Sequence, residues 1–114
     1  MRAEAQAHAD QINAALALLR RFLNWDRALK RLEELNAKVE DQALWNDPKA
    51  AQDVMRERRR LEEAIAATRA IESELSDTVE LMEMAEAEGD DAMVEEGLAA
   101  LAELAERAER DKVA

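Results

Sequence analysis

A chain of 114 residues with two glycines, one proline and 3% aromatic residues is too poor in turn formers and ring-bearing side chains for a sheet protein of its size. The absence of cysteine excludes disulfides, thiolate metal sites and a cysteine nucleophile. Net charge is −11 and unevenly placed: residues 72–112 carry fifteen acidic and three basic side chains, so this part repels phosphate and any RNA contact falls to the N-terminal two-thirds.

The first predicted helix spans about 3–23, with Ile12, Leu16, Leu19 and Leu23 at spacings of four, three and four on one face. Asn24-Trp25-Asp26 follows. Either Asn24 or Asp26 is suited to accept a backbone N–H as an N-cap, so a break or bend is expected. The next segment runs over 26–40, with Leu29, Leu32, Leu35 (or Asn36) and Val39 on its apolar stripe.

Asp47-Pro48 is the clearest punctuation. Asp47 reads as an N-cap and Pro48 as the first helical residue, where a missing N–H removes no bond. Trp45, just before the cap, is placed to staple back onto the new helix, so the connection reads as an ordered turn. From 48 to 87 no breaker intervenes, and Leu61, Ile65, Thr68, Ile71 (or Glu72), Leu75, Val79 and Met82 recur at threes and fours. Forty residues of helix reach on the order of 60 Å, which predicts an elongated molecule. Glu88-Gly89-Asp90-Asp91 reads as a C-cap glycine followed by an N-cap aspartate, a tight helical hairpin. The last helix, 91–112, carries Val94, Leu98, Leu101, Leu104 (or Ala105) and Ala108, and Gly97 within it stands for close packing or for fraying. The predicted architecture is all-α: an elongated antiparallel bundle or coiled-coil hairpin of about four helices. The row of residues ends without a helix stop signal, which predicts a fragment of a longer chain. No signal-peptide pattern or membrane-length apolar run occurs, and the cytoplasm is the expected location.

Little in the sequence promises chemistry. His8 is the sole histidine and lacks neighbouring ligands or an orienting partner. Glu62-Glu63 and Glu95-Glu96 are adjacent on helices, so their carboxylates diverge by about 100°. Glu-Gly-Asp-Asp at 88–91 lacks the alternating ligands and closing glutamate of a calcium loop. No catalytic residue, metal site, cofactor site or small-molecule ligand is expected. The one basic cluster is Arg56-Glu57-Arg58-Arg59-Arg60. It reads either as a contact for RNA phosphate or an acidic protein face, or as ion pairing along a helix through Arg58–Glu62 and Arg59–Glu63. Trp25 and Trp45 can stack on bases, but both lie at helix junctions where packing across the turn is the more economical use.

Leu23-Asn24-Trp25-Asp26, Arg31-Leu32-Glu33-Glu34-Leu35-Asn36, Leu44-Trp45-Asn46-Asp47-Pro48-Lys49-Ala50-Ala51-Gln52, Met55-Arg56-Glu57-Arg58-Arg59-Arg60-Leu61-Glu62 and the acidic hairpin at 86–96 occur in this order. Together they resemble the N-terminal region of bacterial peptide-chain release factor 2, a class I release factor, over essentially the whole chain. Asn24 stands where that family usually has aspartate, and the sister release factor 1 lacks the Trp-Asn-Asp-Pro turn in this form. The resemblance implies the first domain of a larger factor that reads UGA and UAA and induces peptidyl-tRNA hydrolysis. It also implies docking near the stalk base of the large ribosomal subunit, on ribosomal protein, ribosomal RNA or both, beside the remaining domains of the same factor. The codon-reading Ser-Pro-Phe and the Gly-Gly-Gln motifs are absent from these residues, so no catalytic or codon-reading residue carries over. Arg56, Arg58, Arg59 and Arg60 are the expected ribosome contacts. Trp25, Asp26, Trp45, Asp47, Pro48 and Gly89 are the expected structural turn and cap residues. A free-standing coiled-coil adaptor, or a regulatory domain of an enzyme, is the competing reading of the composition alone.

Overall fold

Where apolar residues recur at threes and fours without a breaker, the chain is helical. The computed structural model describes residues 2–113. Among them are four α-helices, α1 (Ala3–Leu23), α2 (Trp25–Glu40), α3 (Pro48–Glu88) and α4 (Asp91–Val113), and one short 3-10 helix, Gln42–Asn46. No strand occurs among the described residues, so the expected all-α class is the observed one. Ala114, at the expected open end, lies outside the described residues.

Each boundary has a local cause. Asn24 takes a left-handed conformation (φ 55, ψ 65), which asparagine adopts more readily than most residues. Its N–H donates to the Arg21 carbonyl and its own carbonyl accepts from Ala28, so a single residue closes α1 and opens α2. The first two helices are thus separate. The expected side-chain N-cap is corrected here: the Asn24 side chain makes no cap bond, and Asp26 lies exposed inside the first turn of α2. A backbone already in the left-handed region turns the chain without one. After α2, the Asp41 carboxylate accepts from Ala43 N at 2.9 Å and starts the 3-10 turn. The Asp47 carboxylate then accepts from Ala50 N at 3.2 Å ahead of Pro48, as an N-cap before a first-turn proline should.

At the far end of α3, Gly89 has φ +72. Its N–H donates to Glu86 O at 3.2 Å and Asp90 N–H donates to Ala85 O at 2.9 Å, the paired bonds of a Schellman termination. Asp90 accepts from Met93 N at 3.1 Å and caps α4.

Packing divides the chain in two. Residues up to Arg20 and from Thr68 onward form one unit, and 21–67 form the other. In the first, Ile12, Leu16, Ile71, Leu75, Met82, Val94, Leu101 and Leu104 make the core with a run of alanines. Ala5, Ala9, Ala15, Ala85, Ala105 and Ala108 let the three helices approach closely. Ion pairs fix the directions: Arg107 meets Glu74 at 2.9 Å, so α4 returns antiparallel along α3. Arg2 pairs with Glu95 beside the hairpin and Arg20 with Glu72 at 2.6 Å, so α1 also runs antiparallel to α3. Gly97 is explained by packing: a Cβ there would lie 2.2 Å from the Cγ of the buried Met82. In the second unit Ala28, Leu35, Ala51 and Ile65 are buried.

Candidate functional site

The helical period decides which side chains of early α3 face outward. Ala51 and Ile65 are buried, so the opposite face carries Lys49, Gln52, Arg56 and Arg59, at i, i+3, i+7 and i+10. All four are exposed. From Lys49 to Arg59 the face runs about 15 Å. Asp53, exposed one turn after Lys49, borders this face, while Glu57 is turned to Arg31 of α2 and Glu63 follows beyond Arg59.

The arginine run therefore splits. Arg58 is half-buried: its Nε donates to Asn36 Oδ1 at 2.7 Å and lies 3.1 Å from Glu62 Oε1. The expected Arg58–Glu62 pair forms, and it is joined by a link to α2. The expected Arg59–Glu63 pair does not form. Arg56 and Arg59 make no hydrogen bond or ion pair among the described residues. Arg60 is exposed and acts on Glu57 through space. Glu57 itself is clamped by Arg31 of α2 through two bonds of 2.6 and 2.8 Å. Those bonds, with the attraction of Arg31, Arg60 and Lys38, hold the Glu57 carboxyl below the usual glutamate range against its desolvation. Arg31 also reaches Glu34 at 3.1 Å, and both carboxylates push its guanidinium pKa further up.

Trp45 stands at the N-terminal end of this face. Its Nε1 donates to Val39 O at 3.0 Å, tying the ring to the end of α2, while 52% of the residue stays exposed. With Pro48, Lys49, Ala51, Gln52 and Met55 the ring borders an open recess of about 650 Å³. The ring is thus fixed from the α2 side, beside the first turns of α3, and still shows much of its surface. Trp25 is half-buried at the other junction.

The remaining candidates are dispersed. His8 is half-buried on α1, and no group of His, Asp or Glu able to hold a metal occurs among the described residues. Gly89 and its neighbours form the turn between α3 and α4. No described helix is long and apolar enough to cross a membrane. Sequence reasoning missed the Arg31–Glu57 clamp and the Trp45–Val39 bond. The first joins residues 26 apart, with no local signal. The second had one: a tryptophan in a short capped turn needs a carbonyl for its N–H.

Residues 28–113 match the family model described as the PCRF domain. Among relatives, peptide chain release factor 2 of Paramagnetospirillum magneticum is 51% identical over 108 residues, 95% of this chain and 29% of that protein. The Ruegeria sp. protein of the same name is 44% identical over 108 residues, again 95% and 29%. That of Roseobacter denitrificans is 42% identical over 113 residues, 99% of this chain and 30% of the relative. The chain thus spans about three-tenths of the length of these relatives.

Proposed function

Because the chain belongs to the PCRF domain family, we propose that it is the N-terminal helical domain of a translation termination factor and helps seat that factor on the ribosome. The whole factor acts in the cytoplasm and directs release of the nascent peptide at UGA and UAA codons, with codon reading and hydrolysis carried by other domains. This domain docks near the stalk base of the large subunit. The observation that carries the reading is the run of identity with release factor 2 relatives over 95% of the chain. The distribution of charge supports it. Exposed, unpaired Arg56 and Arg59 with Arg60 suit a phosphate-bearing surface, and the acidic residues after 71 suit a basic ribosomal protein. Arg58 has the smaller part, since its guanidinium is already engaged.

Co-sedimentation of the 114-residue chain with isolated large and small subunits tests the docking. Binding to the large subunit is expected, weakened about ten-fold or more by Arg56→Glu with Arg59→Glu and by added salt. Equal or absent binding to both subunits overturns it. Release assays at UGA, UAA and UAG with the whole factor test the codon assignment. A gene that stops directly after Ala114 would return the chain to the free-standing adaptor reading.

A further inference from the structure

Resting on the docking reading above, we propose that Trp45 and the outward face of early α3 form a site for an unpaired segment of ribosomal RNA, with one base stacked in the Trp45 recess and the following phosphates on Lys49, Arg56 and Arg59. Three independent observations converge on RNA. The first is the ring itself. Its Nε1 bond to Val39 O fixes its position and engages the one polar atom it owns. What remains exposed is apolar π-surface, which has no use for hydrogen-bonding partners and every use for a flat one. The second is the recess, about 650 Å³ and open to solvent, walled by Trp45 and by the aliphatic bodies of Pro48 and Met55. It does not enclose what enters it, so it offers the ring and its apolar neighbours to a flat group from one side. The third is the charge. Lys49 borders the recess, and Arg56 and Arg59 continue from it along one helix face. A single strand leaving a stacked base passes two or three phosphates over a length of about 15 Å, the length of this face.

An acidic protein would also seek these cations. It has less use for a pre-fixed aromatic ring at the end of the row, whereas base-on-aromatic stacking beside a cationic track is how sequence-tolerant RNA surfaces are built. Duplex RNA is a poorer match too, because its bases are already stacked on one another.

The test uses the Trp25→Phe chain, in which Trp45 is the only tryptophan and reports by fluorescence. Titration with a single-stranded hexaribonucleotide should quench its emission. The logarithm of affinity should fall with the logarithm of salt at a slope of about −2, three cations at about 0.7 each. Arg56→Gln with Arg59→Gln should reduce that slope to about −0.7. Trp45→Leu, checked for folding by circular dichroism and followed with a labelled oligonucleotide, should bind about ten-fold more weakly with the slope unchanged. An RNA duplex that binds equally well without being out-competed by the single strand would refute stacking. Hexaglutamate binding with the same affinity and slope would reassign the face to an acidic protein. Sedimentation with the large subunit, persisting while the oligonucleotide leaves Trp45 unquenched, overturns this inference and leaves the docking reading intact. Loss of subunit binding with quenching retained does the reverse.

Discussion

Gly97→Ala separates two physical explanations for a glycine in the middle of a helix. If position 97 is merely a weak point of α4, alanine should stabilise it by about 1 kcal/mol, the ordinary difference in helix propensity. The structure says otherwise. The added Cβ would sit 2.2 Å from Met82 Cγ and 2.9 Å from its sulfur, and Met82 is 0% exposed. Cγ is not the free end of that side chain, so relief requires a new rotamer in a filled core or a displacement of α4 from α3. Overpacking of this kind costs about 1–3 kcal/mol. Setting the propensity gain against it leaves a net loss of roughly 0–2 kcal/mol.

The sign is decided by a double-mutant cycle in guanidinium denaturation. Met82→Ala alone should cost about 2–5 kcal/mol through the cavity it leaves. In that background the obstructing atoms are gone, so Gly97→Ala should become stabilising by about 1 kcal/mol or more. The coupling between the two sites should therefore be about 1–3 kcal/mol, as expected for residues that touch. Alanine at 97 stabilising the parent chain by the full propensity difference, with no coupling to position 82, would refute the close approach of the two helices at this point.

Three further outcomes follow from the local geometry. Gly89→Ala should destabilise by about 1–2 kcal/mol in thermal or denaturant unfolding, because φ +72 strains a Cβ-bearing backbone even where nothing else lies within 4 Å; Gly89→Asn should recover part of the loss. Asp90→Ala should cost about 0.5–2 kcal/mol by removing the acceptor of Met93 N, and Asp90→Ser should restore most of it. Glu57 has a folded-state pKa below its ordinary 4.5, so its clamp with Arg31 stabilises fully above that value and is lost as pH falls through the lower folded value. Melting temperatures measured from about pH 7 down to about pH 3 should therefore show Glu57→Gln below the parent near neutrality and converging with it in acid.

The period of the apolar residues picked out the inward side of each helix, although Leu23, Leu29, Leu32, Val39 and Leu61 on those stripes are only half-buried. At the ambiguous positions Leu35 went inward and Asn36 outward, and Ile71 went inward with Glu72 left half-exposed. Leu104 and Ala105, alternatives for the stripe of α4, are both buried, because α4 meets two helices and needs a wider stripe. Breakers set the ends of α3 to within a residue, since Pro48 has a fixed φ and no N–H to give and Gly89 takes the left-handed conformation that closes a helix. Asn24 was harder. Its side chain suits an N-cap and its backbone suits a left-handed turn, and the chain uses the second. Pairings that depend on which helix lies opposite which were out of reach: Gly97 against Met82 joins two helices through a register that neither helix encodes alone. The same holds for the candidate site. The basic run at 56–60 was visible, but which arginines remain free depends on Asn36 and Arg31 arriving from α2 to occupy Arg58 and Glu57.

That division of labour among cations extends through the chain and makes the proposed site testable by contrast. In the unit that includes residues 68–113, Arg107 is engaged by Glu74, Arg20 by Glu72, Arg2 by Glu95 and Lys112 by Glu109, each binding elements or turns together. Acidic residues exceed them, so this unit has little positive charge to offer phosphate. In early α3 the order is reversed: Lys49, Arg56 and Arg59 pair with nothing among the described residues. Stability and docking should therefore dissociate. Arg107→Gln should lower the melting temperature and leave the salt dependence of large-subunit binding unchanged. Arg56→Gln should leave the melting temperature within error and reduce the slope of that salt dependence by about 0.7–0.9 for each phosphate it no longer neutralises. Equal effects of the two variants on both measurements would mean that the arginine face acts through the fold, and the assignment of Arg56 and Arg59 to a phosphate surface would fail.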